Sequence, residues 1–193
     1  MNLPEYRTKL APLLGTTASA ILNRQKKTYS IMHELAPPGT GSGRGIRIEA
    51  TPTNATVILL TVLDAAHIDT VATRTKRLYH AAFAKVGGNR DGDPCPVTRM
   101  QTAGAAIAAL IEHPELRSGL ASIDLEHDTE TVSLRWRGGG KSLFHPFADG
   151  QQYREAVVEA VGHGSTRTSS LAGTVFSEVA ALIPAIELIL EMS

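Results

Sequence analysis

The chain has 193 residues, 42% hydrophobic and 20% charged, and its nineteen Lys and Arg balance nineteen Asp and Glu. That composition excludes a disordered chain, and no apolar run reaches the roughly 18 residues of a membrane span. A single cysteine, Cys95, excludes an intramolecular disulfide and a cysteine-rich zinc site, and a loop or semi-buried thiol is expected there.

The first stretch, "MNLPEYRTKLAP", carries charge where a signal peptide would be apolar, so a cytoplasmic protein is expected. The pattern of "LPEYRTKLAPLL" is helical, with Pro4 in the first turn and Pro12 bending or shortening the end. Gly15 offers a turn. Thr16 is a candidate N-cap for a second helix through "TASAILNRQKKTYSIMHEL". "APPGTGSG" stops that helix, and "RGIRIEA" alternates like a strand. "TPTNATVILLTVLDAA" has helix length, with Thr51 or Thr53 as cap and Pro52 at its start. "IDTVATRTKRLYHAAFAKV" places Ile68, Val71, Leu78, Ala82 and Val86 near one helical face.

The stretch "VGGNRDGDPCPVT", residues 86–98, is dense in Gly, Pro, Asp and Asn and predicts a boundary. After it, "TAGAAIAALIEHPEL" is helical to about Pro114. "SGLASIDLEHD" and "ETVSLRWRG" alternate as strands, and "KSLFHPF" adds a third. "QQYREAVVEAVG" is helical, "TRTSSLAG" is a strand or a loop, and "TVFSEVAALIPAIELILEM" is a last apolar helix interrupted by Pro184. The fold class expected is α+β.

The neutral net charge is a cancellation. Residues 1–80 hold ten Lys or Arg against five Asp or Glu, and residues 81–193 hold nine against fourteen. A basic first part suits a polyanionic partner. Residues 39–48, "GTGSGRGIRI", decide between two kinds of polyanion. A phosphate-binding loop needs a Lys followed by Ser or Thr, a strand before it and a helix after it. Here Arg44 and Gly45 follow the glycines, a helix precedes them and a strand-like run comes next. A wing, the hairpin beside a recognition helix, fits better. Glycine lets its tip approach a phosphate backbone, Arg44 and Arg47 supply cations, and Ile46 and Ile48 face the other way. In "LLGTTASAILNRQKK", Ile21 and Leu22 pack the second helix on the first. Thr16, Thr17, Ser19, Asn23, Arg24, Lys26 and Lys27 are then the DNA-binding candidates, together with Arg44 and Arg47. Hydroxyls and cations reach phosphates, Asn pairs with adenine, and Arg grips guanine.

This order, "LLGTTASAILNR", then "PPGTGSGRGIRI", then "NATVILLTVL", resembles the winged helix-turn-helix DNA-binding domains, including the MerR-like ones, over about residues 4–80. The resemblance implies a recognition helix in the major groove and a wing on the backbone or minor groove. The wing lacks the aromatic or second polar run of MerR-like wings, and no effector pocket is carried over. The expected organisation is a winged helix-turn-helix domain at 1–88 and a mixed α+β dimerisation domain at 97–193. The expected function is sequence-specific binding of double-stranded DNA by a homodimer, as in a bacterial or phage transcriptional regulator. The alternatives are a phage DNA-packaging or architectural protein, a small cytoplasmic enzyme with an unrecognised site, and an adaptor for an acidic protein.

No catalytic residue, metal ligand or cofactor is expected. The seven histidines are scattered without metal-ligand spacing, and no Ser sits in a G-x-S-x-G elbow. His127, between Glu126 and Asp128, is expected to be solvated charge on a hairpin. "RWRGGGK", residues 135–141, is expected to be a hairpin turn with Trp136 packed on one face. The last helix, with Val175, Phe176, Val179, Leu182, Ile183, Ile186, Leu188, Ile189 and Leu190, is expected to supply an apolar dimer contact.

Overall fold

A computed structural model describes residues 1–37, 48–84, 95–146 and 167–183. Its elements, in chain order, are α1 (Leu3–Leu13), α2 (Ala18–Tyr29), a 3₁₀ turn (His33–Leu35), α3 (Pro52–Leu63), α4 (Val71–His80), β1 (Ala82–Ala84), α5 (Ala103–Glu112), α6 (Pro114–Arg117), β2 (Leu120–Glu126), β3 (Thr131–Trp136), β4 (Lys141–His145), β5 (Thr168–Ala172) and α7 (Gly173–Ala181). The class is α+β. The strands form one antiparallel sheet in the order β1-β4-β3-β2-β5.

The first two helices form where the sequence pattern puts them. Asn2 caps α1 by accepting from the Glu5 N–H at 2.8 Å. Pro12 sits in the last turn, where the helix ends at Leu13. Gly15 then adopts φ +61°, which a side chain resists. Around it the Thr16 N–H returns to the Ala11 carbonyl (3.0 Å) and the Gly15 N–H to the Pro12 carbonyl (3.3 Å). This pair of bonds closes a helix end through a left-handed residue. The cap of α2 is Thr17, not Thr16: its hydroxyl accepts from the Ala20 N–H. α2 is shorter than expected and stops at Tyr29. Its C-cap residue, Ser30, donates from its hydroxyl to the Lys27 carbonyl at 2.6 Å, a local bond that competes with helix continuation.

α3 is the central helix. Thr51 caps it, Pro52 opens it, and every residue from Asn54 to Thr61 is buried. It packs against α2, α4 and α5 and also touches β5. The described end of the alternating "RGIRIEA" run pairs with the N-terminus. The Leu3 N–H donates to the Ile48 carbonyl (2.7 Å), and the Ala50 N–H donates to the Met1 carbonyl (3.0 Å).

The helix expected through Val86 ends at His80 instead. Ala81 turns extended (ψ 123°), and Ala82–Ala84 becomes an edge strand on β4. The Phe83 ring meets Phe144 edge-on at 5.5 Å, and the Phe83 N–H donates to the Gln101 carbonyl. Sheet pairing and this aromatic contact override the helical periodicity. Residues of the expected first part thus contribute the edge strand of the sheet. One apolar core runs from Leu3 and Tyr6 through Ile58 and Leu110 to Phe144 and Phe176. Most of the boundary expected at 86–98 lies outside the described residues.

"TRTSSLAG" resolves as a strand, β5, against β2. In α7, Phe176 and Val179 are buried in the chain's own core, and Ile183 just beyond it is buried there too. Ile186, Leu188, Ile189 and Leu190 lie outside the described residues, as does "QQYREAVVEAVG". Among the described residues no helix is long and apolar enough to cross a membrane.

Candidate functional site

The face expected to meet DNA starts from the way α2 is held. Ile21, Gln25, Thr28 and Tyr29 are buried along one side, a helical repeat of four, three and one. Gln25 is the polar member of that side. It accepts from Arg7 of α1 at 2.7 Å and donates to the Tyr29 hydroxyl at 3.2 Å. Asn54 of α3 donates to the same hydroxyl at 3.1 Å. Buried polar groups must be paired, so this chain of bonds fixes α1, α2 and α3 in one arrangement.

The opposite side of α2 presents Ser19, Asn23, Lys26 and Lys27, all exposed. The helix carries no acidic residue. The side chains of Asn23, Lys26 and Lys27 make no hydrogen bond or ion pair among the described residues. Three other candidates are placed differently. Thr17 is exposed, but its hydroxyl is taken up by the N-cap and by Ser19 Oγ at 3.2 Å. Thr16 is half-buried. Arg24 is half-buried and donates to the Thr61 carbonyl of α3 at 3.1 Å. Arg44, Arg47 and the rest of the expected wing up to Arg47 lie outside the described residues.

A second centre was not expected from the sequence. His127 is buried, not solvated. Asp64 ends α3 with no exposed side-chain surface, and its carboxylate lies 3.6 Å from His127 Nδ1. That is too long for a hydrogen bond, and Nδ1 has no hydrogen-bond partner among the described residues. On the other side of the ring, Nε2 lies 2.8 Å from Ser169 Oγ on β5. Arg74 of α4 holds Asp64 and also donates to Glu130 and to the His127 carbonyl, each at 3.0 Å. Ala65, directly after Asp64, and Glu130 both adopt left-handed φ (47° and 50°), which costs a non-glycine residue energy.

The electrostatics follow from this packing. Burial lowers the His127 pKa from its usual 6.5; the Arg167 charge adds to the effect, and Asp64 opposes it without reversing it. The packing therefore favours the neutral ring over the charged one. Burial likewise raises the Glu130 carboxyl, against the pull of Arg77 and Arg74. An open polar cleft of about 350 Å³ lies over Asp64, Arg74 and His127. A second cleft, of about 480 Å³, lies where Ser169 and Leu171 of β5 face Leu14, Val62 and Leu63.

One sequence signal pointed toward this centre. Asp64 closes a strongly apolar helix at the end where the helix dipole disfavours a negative charge, so it requires a cation. Nothing in the sequence indicated that the cation would be Arg74 or that His127 and Ser169 would join it.

The remaining features are structural. Trp136 donates from Nε1 to Ser142 Oγ at 3.1 Å, and Gly139 takes φ +87° in the expected hairpin turn. Cys95 is fully buried, with Sγ 3.3 Å from Ser142 Oγ, deeper than the semi-buried thiol expected. No cluster among the described residues has three groups placed to hold a metal ion. Compared with known proteins, the chain matches no family, no curated protein and no solved structure.

Proposed function

We propose that the protein binds double-stranded DNA in a sequence-specific way, with α2 in the major groove and residues 39–48 as a wing on the backbone. The observation that carries this reading is the exposed stripe of Ser19, Asn23, Lys26 and Lys27, opposite the side of α2 that is locked onto α1 and α3. A helix that reads bases must be rigid relative to its partner helix and must present donors without competing carboxylates. α2 meets both requirements. Asn23 reads a base edge, Lys26 and Lys27 pair with phosphates, and Arg44 and Arg47 hold the wing side. Arg24 supports the interface from behind, through α3. Two copies on a palindromic site would multiply the specificity of a small module, so the bound form is proposed to be a dimer and the role that of a transcriptional regulator.

The test is selection of duplexes from a random library by the full chain, followed by anisotropy titrations of selected and scrambled duplexes over a range of salt. Tighter binding to the selected duplex, weakening with salt, supports the reading. Equal affinity for both duplexes removes sequence-specific recognition, and no binding at low salt removes DNA as the partner. Sedimentation with and without the selected duplex gives the stoichiometry.

A further inference from the structure

We propose that Ser169 is a nucleophile that accepts the acyl group of a neutral aliphatic ester, with His127 as its general base. This activity is independent of the DNA-binding reading, and its test involves no DNA.

Three observations combine. A serine hydroxyl and an imidazole nitrogen are 2.8 Å apart, within the reach that a nucleophile and its base require. The far nitrogen of the same ring faces a buried carboxylate at 3.6 Å and has no hydrogen-bond partner among the described residues. In centres without substrate such contacts are often long and tighten on binding. The third observation is the space beside Ser169. Ser169 lies in the wall of the cleft of about 480 Å³, among Leu14, Val62, Leu63, Leu171 and Val175, and none of the described residues lining it is charged. That lining suits an uncharged substrate with an aliphatic chain and gives nothing to a phosphate or a carboxylate.

The chemistry follows from the placement. With the ring proton on Nδ1, toward Asp64, the Ser169 hydroxyl donates to Nε2. Oγ attacks the ester carbonyl carbon as its proton passes to Nε2. The bond from that carbon to the alkoxy oxygen breaks, and the leaving alkoxide takes the proton from Nε2. Water then attacks the acyl-serine and gives a proton to Nε2. The bond from the acyl carbon to Oγ breaks, and the proton returns to Ser169. Asp64 is a positioning residue: it orients the ring and favours its charged form during transfer. Arg74 fixes the Asp64 carboxylate through hydrogen bonds of 2.9 and 3.1 Å.

The experiment treats the folded full chain with an alkyl fluorophosphonate and locates the adduct by peptide mass spectrometry. The expected result is a single adduct on Ser169, absent after heat unfolding and absent from Ser169→Ala. His127→Gln should slow labelling by at least about 100-fold, the lower end of what a positioned base supplies. p-Nitrophenyl butyrate should give a burst of p-nitrophenol from the native chain and none from Ser169→Ala. A native chain that forms no adduct, an adduct on another serine, or an unchanged rate in folded His127→Gln overturns the proposal. If His127→Gln does not fold, the pH profile of wild-type labelling decides. A rate that falls with protonation of one group below pH 6.5 supports His127 as the base, and a flat profile overturns it. Asp64→Asn removes the charge beside Nδ1 and should move that profile to lower pH, and an unmoved profile overturns the role given to Asp64.

Discussion

Arg74 Nε donates to both carboxylate oxygens of Asp64, at 2.9 and 3.1 Å, at the point where α3 ends and faces α4. The same guanidinium reaches Glu130 and the His127 carbonyl, so one side chain joins two helices to the β2–β3 turn. Asp64 has no exposed side-chain surface, and Arg74 has 22%. Removing the cation leaves a carboxylate buried without its charge partner. Arg74→Ala should therefore cost about 3–5 kcal/mol in urea denaturation. Arg77 also pairs with Glu130 but is half exposed, and Arg77→Ala should cost within about 1 kcal/mol. Similar losses in the two variants would show that burial of Asp64 is not what makes Arg74 important.

Acid should weaken the fold through His127. Its folded pKa lies below the usual 6.5, so the unfolded chain binds the extra proton first. The stabilisation is complete above about pH 6.5 and is lost as pH falls from there through the lowered folded value. Denaturation midpoints from pH 8 to pH 5 should fall in the wild type and fall less in His127→Gln. Parallel curves would assign the acid sensitivity to other groups.

On DNA, Asn23→Ala should cost about 1–3 kcal/mol of discrimination between the selected and a scrambled duplex. Lys26→Ala and Lys27→Ala should each weaken both duplexes and lower the salt slope by about one unit where a phosphate contact is lost. Arg24→Ala should act differently, because its guanidinium binds the Thr61 carbonyl. Its main effect should be a stability loss of about 1–2 kcal/mol, read by thermal melting without DNA. A selective loss of discrimination in Arg24→Ala, with an unchanged melting curve, would return it to the base-reading set.

Two glycines should respond differently to alanine. At Gly15 a Cβ meets none of the described residues within 4 Å, and the left-handed φ of +61° is the obstacle. Gly15→Ala should cost about 1–2 kcal/mol, and Gly15→Asn less. At Gly173 the obstacle is space: a Cβ would collide with the backbone carbonyl of Leu120. Neither backbone can yield without moving α7 off β2, so Gly173→Ala should destabilise more than Gly15→Ala. The reverse order would mean that the α7–β2 contact is easily displaced.

The first two helices, the turn between them and the strands β2 to β4 were legible because their signals are local. Leu13-Leu14-Gly15 marks a helix end and a turn within three residues, while the cap fell one residue beyond the expected Thr16, on Thr17. The alternation of "ASIDLE", "TVSLRW" and "KSLF" is a period-two pattern that survives in any sheet that buries one face. The burial of Ile21, with Asn23 exposed, follows from helical spacing alone. Tertiary structure decided what depends on distant partners. Ala82–Ala84 left a helical pattern because an edge of β4 and the Phe144 ring were there to receive it. Arg24 turned from the candidate base-reading face to a carbonyl of α3. Asp64, Arg74, His127 and Ser169 are spread over more than a hundred residues of chain, and only Asp64, closing an apolar helix, stands out in the sequence. They become one centre only because the end of α3, the flank of α4, the β2–β3 turn and β5 converge. Burial there removes water as an alternative partner, so each polar group must find another, and no local pattern in the sequence encodes which one.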